Sequence, residues 1–266
     1  MLQQTQVERV IPLYRAFVAR FPDFEALAAA DAGDVVRAWR GLGYNSRAMR
    51  LHALARAVVA RHGGRLPSER DALRALPGIG PYTVAAIRAF AFECDEAAVD
   101  VNVRRVVHRV LFGLEHPPGA SAAVLDAFAR EAVPRGRAHD WNSAMMDVGA
   151  TICTARAPKC LICPLREACA AAPVDAAALA ARARAHARPR SPQSAIPFDQ
   201  TTRFLRGRII DRLRDVPAPQ VLELAALERA LAEIVPDDRL PEVGAVVETL
   251  VREGLITRVG AGLRLS

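Results

Sequence analysis

The densest chemistry in the chain is a run of four thiols, Cys153-x6-Cys160-x2-Cys163-x5-Cys169, while the fifth cysteine, Cys94, stands apart. Thiolates are soft ligands, and four of them in so short a stretch can wrap one tetrahedral metal ion or one cubane iron–sulfur cluster. A chain this long builds its own core and does not need disulfides. Zinc ribbons usually present two CxxC knuckles, whereas only Cys160 and Cys163 have that spacing, so spacing alone leaves the metal open. Arg156, Lys159 and Arg166 lie among the thiols, and a loop folded by the metal would display positive charge suited to a phosphate backbone. Cys94 reads as a small buried apolar residue.

A second group is Leu76-Pro77-Gly78-Ile79-Gly80-Pro81-Tyr82-Thr83. Two glycines let backbone come close to a partner, Pro81 suits a first helical turn, and the free N–H groups of that turn can hold a phosphate. Further on, Val99-Asp100-Val101-Asn102-Val103 leads into Arg104-Arg105-Val106-Val107-His108-Arg109, which places Asp100 at a helix start. There the carboxylate serves either as a plain N-cap or as a charge facing a cationic sugar.

Helices must position these groups. Apolar residues recur at three- and four-residue spacing, as in Val7, Val10, Ile11, Tyr14, Phe17 and Val18, and alternating runs are scarce, so the fold class is mainly all-α. The 266 residues are 52% hydrophobic and 24% charged, which excludes disorder as the main theme and allows two domains. A formal charge of +7 favours a polyanionic partner, nucleic acid first. No apolar run is long enough for a membrane span, and the polar opening is unlike a secretory leader, so a cytoplasmic protein is expected. Residues 171–197, rich in Ala, Arg and Pro, read as a linker. Beyond it, helices over Thr202–Arg214, Val221–Ile234 and Leu240–Glu253 followed by a hairpin around Gly260-Ala261-Gly262 predict a winged-helix-like module over 198–266.

Together, Met1 to Gln6, Gly41-Leu42-Gly43-Tyr44-Asn45-Ser46-Arg47, the glycine hairpin, Val99 to Arg104 and the cysteine loop resemble the adenine DNA glycosylase, or MutY, family of the endonuclease III superfamily. The resemblance covers about residues 1–170. It implies a two-lobed helix–hairpin–helix glycosylase fold with the cysteines holding a [4Fe–4S] cluster, and a flipped base entering between the lobes. It also implies that the substrate is duplex DNA holding a mismatch or oxidised guanine, bound by a monomer associated with a bacterial nucleoid. Carried over, Asp100 matches the catalytic aspartate that stabilises or captures the oxocarbenium-like sugar, with Asn102 as its polar neighbour. Tyr82 stands where bifunctional relatives carry a lysine nucleophile, and a phenol cannot form a Schiff base, so hydrolysis without lyase activity is expected. Gln3 and Gln4 resemble the segment probing the gap opposite the target, Tyr44 an intercalating aromatic, and Arg47 a residue along the DNA backbone; Gly78, Gly80 and Thr83 belong to the DNA-binding hairpin.

The match departs at two places. The family's catalytic glutamate, which protonates the leaving adenine, belongs two positions before Met1, and the exposed-looking Glu8 is no substitute by spacing. Either the sequence is part of a longer one, or its excision activity is weak or absent. Residues 198–266 also lack the length and β-rich pattern of the Nudix-like domain that reads 8-oxoguanine in many relatives. The expected activity is removal of adenine opposite 8-oxoguanine or guanine. A thymine or uracil mismatch glycosylase, a lesion-binding protein without excision and a zinc-dependent transcription factor are the alternatives.

Overall fold

The computed structural model describes residues 1–2, 5–116, 118–187 and 196–266, and Gln3 and Gln4 lie outside them. Its chain forms two units, each with its own core. The first comprises Met1–Pro67, Leu76–Gly78 and the described part of Arg190–Ser266; the second comprises Ser68–Ala75 and the described part of Ile79–Pro189.

In the first unit, α1 (Val7–Arg20), α2 (Phe24–Ala29), α3 (Ala32–Ala38) and α4 (Ser46–His62) gather around Val10, Phe17, Leu27, Val35, Trp39 and Ala55. Asp23 caps α2 by accepting from Ala26 N at 2.7 Å. Gly63, in the left-handed region at φ +57°, ends α4 as C-terminal glycines do. The periodicity of α1 is as expected, but only Val10 and Phe17 are buried, while Val7, Ile11, Tyr14 and Val18 are exposed.

The same unit contains the C-terminal module: α11 (Thr202–Arg214), β1 (Leu222–Glu223), α12 (Leu224–Leu231), α13 (Val243–Arg252), β2 (Ile256–Val259) and β3 (Gly262–Leu265). The sheet order is β1-β3-β2, all antiparallel, with Leu222 opposite Leu263 and Ile256 opposite Leu265. Three helices and a hairpin give the expected winged-helix pattern. The expected helix over Val221–Ile234 begins later, because Leu222–Glu223 pair with β3 instead. This module shares a core with the N-terminal helices: Val36 of α3 is buried among Leu205, Ile209, Leu227, Leu250 and Leu263. At Gly33 a Cβ would meet Ser266 O at 2.9 Å, so α3 and the chain's last residues approach too closely for a larger side chain there.

The second unit holds α5 (Arg70–Arg74), α6 (Pro81–Ala91), α7 (Val101–Phe112), α8 (Ala122–Glu131), α9 (Ala138–Asp147) and α10 (Ala176–Ala185). Val103 and Val107 of α7 pack on Leu125 and Ala129 of α8, together with Ala97 and Val99. Asn142 of α9, fully buried, accepts from Ala98 N (2.7 Å) and donates to Glu96 O (2.8 Å), pinning the segment that leads to Asp100. The stretch read as a linker contains a helix: Asp175 caps α10 through Ala177 N at 2.8 Å, and Leu179 is buried. Cys94 is half-buried, 3.6 Å from Phe92 O in the turn after α6, which corrects the expectation of a buried core residue; the adjacent Glu93 has φ +53°. No helix among the described residues is long and apolar enough to cross a membrane.

Candidate functional site

Asp100 is the N-cap of α7, so the modest reading of that residue is correct and leaves room for the other. Its Oδ1 accepts from Asn102 N and Val103 N, both at 2.8 Å, and its Oδ2 accepts from Asn102 Nδ2 at 2.9 Å. Three donors at the start of a helix hold the carboxylate in one orientation. Tyr82, on the first turn of α6, is close enough to feel that charge: burial first, then Asp100, pushes its phenol above the ordinary tyrosine range and keeps it neutral.

The polar connection continues past Asn102, which sequence reasoning did not reach. Arg105 Nη2 donates to Asn102 Oδ1 (3.0 Å) and to Gly149 O (2.6 Å), and its Nε donates to Cys153 O (2.8 Å). One helical turn on, Arg109 is buried; it forks onto Glu115 at 2.5 and 2.7 Å, donates to Thr154 O at 2.8 Å and lies 3.5 Å from Cys153 Sγ. Burial alone would lower this guanidinium, but Glu115 and Cys153 more than offset that. Two arginines at i, i+4 on a valine-rich helix face were the available signal, since buried guanidinium groups need partners. One hydrogen-bonded line therefore joins the carboxylate of Asp100 to the cysteine loop.

Gly149, in the π-helical turn Val148–Ile152, closes this arrangement. A Cβ there would stand 2.9 Å from Asn102 Cβ and 3.3 Å from its carbonyl carbon. Gly149→Ala should therefore displace Asn102 and slow any Asp100-dependent step by roughly tenfold or more, at an overpacking cost of about 1–3 kcal/mol. Single-turnover rate and melting temperature measured together check this, and a variant with native rate would contradict it.

All four loop cysteines are free thiols, and together they line one cavity of about 300 Å3, counting the space at its mouth, with Arg109, Ile152, Pro158 and Val174 among its walls. Cys153 follows the π-helical turn, Cys160 and Cys163 bracket a 3₁₀ turn over Cys160–Ile162, and Cys169 follows another over Arg166–Ala168. Val174 N donates to Cys160 Sγ at 3.5 Å, and Cys169 Sγ lies 3.4 Å from Arg109 O. Ala170 N and Ala171 N donate to Val110 O and Arg109 O, so the loop satisfies the last carbonyls of α7. Burial raises the Cys153 thiol against the pull of Arg109. The all-sulfur donor set, the shared cavity and the N–H groups aimed at sulfur fit a thiolate-held group.

At the hairpin, Gly78 has φ +78° and Arg50 Cβ only 3.1 Å from where its own would be, so its backbone requires glycine. Gly80 has an ordinary φ of −95° and open space around it, and it opens α6 with no side-chain cap and Pro81 at the first position. Thr83, half-buried, lies in that same first turn.

Tyr44 directly follows two left-handed glycines, Gly41 at φ +89° and Gly43 at φ +66°. Arg47, expected along a DNA backbone, is turned inward instead: it donates to Leu42 O at 2.7 Å, to Met1 O at 3.0 Å and to Thr5 Oγ1 at 3.2 Å. Leu42 O also accepts from Thr5 Oγ1 at 3.4 Å, so Arg47 and Thr5 together tie the loop to the start of the chain, and burial lowers the Arg47 guanidinium. Tyr44 itself stays 40% exposed.

The family model of the HhH-GPD superfamily base excision DNA repair protein matches residues 1–130. The adenine DNA glycosylase of Mycolicibacterium smegmatis is 36% identical to this chain over 98% of it and 83% of its own length. The chain belongs to the adenine DNA glycosylase family. A second adenine DNA glycosylase, from Mycobacterium tuberculosis, is also 36% identical, over 98% of this chain and 81% of its own. Likeness to these adenine DNA glycosylases thus runs through the C-terminal module. A solved thermostable thymine-DNA glycosylase shares the fold at TM-score 0.59 and 34% identity, covering 63% of this chain and 78% of its own.

Proposed function

We propose that the chain is a monofunctional DNA glycosylase that removes adenine opposite 8-oxoguanine or guanine, hydrolysing the N-glycosidic bond after the base is flipped from the duplex. The observation that carries this reading is the 36% identity to adenine DNA glycosylases along nearly the whole chain, against a shorter stretch shared with the thymine-DNA glycosylase. Asp100 faces the cationic sugar as the base leaves, with Asn102 holding the carboxylate in place. Tyr82 remains a neutral phenol and offers no amine to C1′. Gly80, for which nothing among the described residues demands glycine, supports close approach of a phosphate to the uncapped start of α6, with Gly78 and Thr83 in the same hairpin. Tyr44 meets the base stack. The protein acts as a monomer in the cytoplasm on duplex DNA, which its +7 charge favours.

Cys153, Cys160, Cys163 and Cys169 would hold a [4Fe–4S] cluster, which supplies a structural brace for the loop and no step of the hydrolysis. Four thiols lining one cavity are the donor set that such a cluster takes.

Single-turnover assays on duplexes holding A:8-oxoguanine, A:G, T:G and U:G test the proposal. The adenine duplexes should react fastest. Preferred release of thymine or uracil, or binding without release of any base, would overturn it.

A further inference from the structure

The basic helix α11 spends most of its charge inside the module. Arg206 pairs with Glu253, Arg208 and Arg214 pair with Asp211, and Arg212 donates to Ala230 O at 3.1 Å. Arg203 differs: among the described residues no carboxylate lies within ion-pair distance of it, and its guanidinium sits 4.1 Å from the ring centroid of Tyr44. Roughly three turns along, on nearly the same face of the helix, Arg214 is buried and donates to Val36 O at 3.1 Å and to Asn45 Oδ1 at 2.7 Å. One helix therefore holds both the ring of Tyr44 and the side chain of the next residue. Tyr44 is a non-glycine residue at φ +47° with an exposed ring, and backbone strain of that kind persists only where the surroundings enforce it.

We propose that α11 is a positioning element for Tyr44: Arg214 fixes the loop at Asn45, and Arg203 stacks on the ring so that it meets the DNA base stack already oriented. The idea rests on the reading of the chain as a mispair glycosylase and assigns the C-terminal module a task in it. A planar guanidinium stacks on an aromatic face in a way an ammonium does not, so the contact depends on arginine as such and not on charge alone. Holding the ring beforehand lowers the ordering cost of binding.

The test measures the affinity of the full chain for a duplex in which 2′-fluoro-2′-deoxyadenosine, which resists hydrolysis, opposes 8-oxoguanine. Arg203→Ala and Arg203→Lys should each weaken binding about tenfold, whereas in a Tyr44→Ala background Arg203→Ala should cost less than about twofold. Melting temperature should not move, since Arg203 is exposed and makes no ion pair among the described residues. Equal losses in both backgrounds, with lysine restoring affinity and the salt slope falling by about one, would make Arg203 an independent phosphate contact and overturn the proposal. So would no loss at all. If the wild-type chain binds this duplex no better than a matched one, the mispair reading fails; the coupling is then read on the matched duplex, where its absence still overturns the role of α11.

Discussion

Replacing Asp100 by asparagine is expected to abolish base release while leaving duplex binding and folding intact. Asparagine caps helices as well as aspartate does, so its Oδ1 can still accept from Asn102 N and Val103 N. What disappears is the negative charge, and losing one preorganised charge-stabilising group typically costs about 10²–10³-fold in rate. One bond becomes a conflict, because the new amide faces the donor Nδ2 of Asn102, whose Oδ1 is already committed to Arg105. That should cost about 1 kcal/mol, visible as a small fall in melting temperature and far too little to unfold the chain. Native turnover in Asp100→Asn would remove the carboxylate from the chemistry.

The second large effect is expected from Cys163→Ser. Its thiol is one of the four lining the loop cavity, and a hydroxyl is a poor ligand for iron. Purified variant protein should lose iron, sulfide and visible absorbance together. Because metal-held loops fold with their metal, the segment from Cys153 to Cys169 should lose its order as well. The loss should travel further than the loop. Arg105 and Arg109 bind carbonyls at Cys153, Thr154 and Ala155, and Arg105 also holds Asn102. Duplex affinity should fall by about tenfold or more as the basic loop comes apart, and the single-turnover rate should fall with it. A colourless variant with native affinity and rate would mean that the loop neither braces α7 nor touches DNA. Stoichiometric zinc in the wild-type protein would exclude the cluster.

Much of this was legible because it is local. The helix over Thr202–Arg214 follows from its capping threonine and its apolar spacing, and Asp100 stands at a helix start because short polar caps announce themselves in sequence. The cysteine spacing exposes its own chemistry. What stayed hidden depends on distant pairing. Arg105 meets Cys153 O across 48 residues, Arg214 meets Asn45 across 169, and no local pattern reports such bonds. The bonds of Arg47 to Leu42 O and Gly43 O were hidden too, because they depend on how the glycine loop folds back toward α4. Strand β1 escaped because two residues carry too little pattern, and its identity comes from pairing with Gly262 and Leu263. Helix α10 within the presumed linker escaped for a related reason: an alanine- and arginine-rich stretch has good helix propensity, and one buried leucine, Leu179, anchors it.

The most direct measurement of the central claim is product analysis on an A:8-oxoguanine duplex in a single turnover. The account predicts free adenine in amounts equal to abasic strand, with strand scission only after alkali and no covalent enzyme–DNA adduct trapped by borohydride. Release of another base, or strand cleavage without alkali through a trapped adduct, would contradict it.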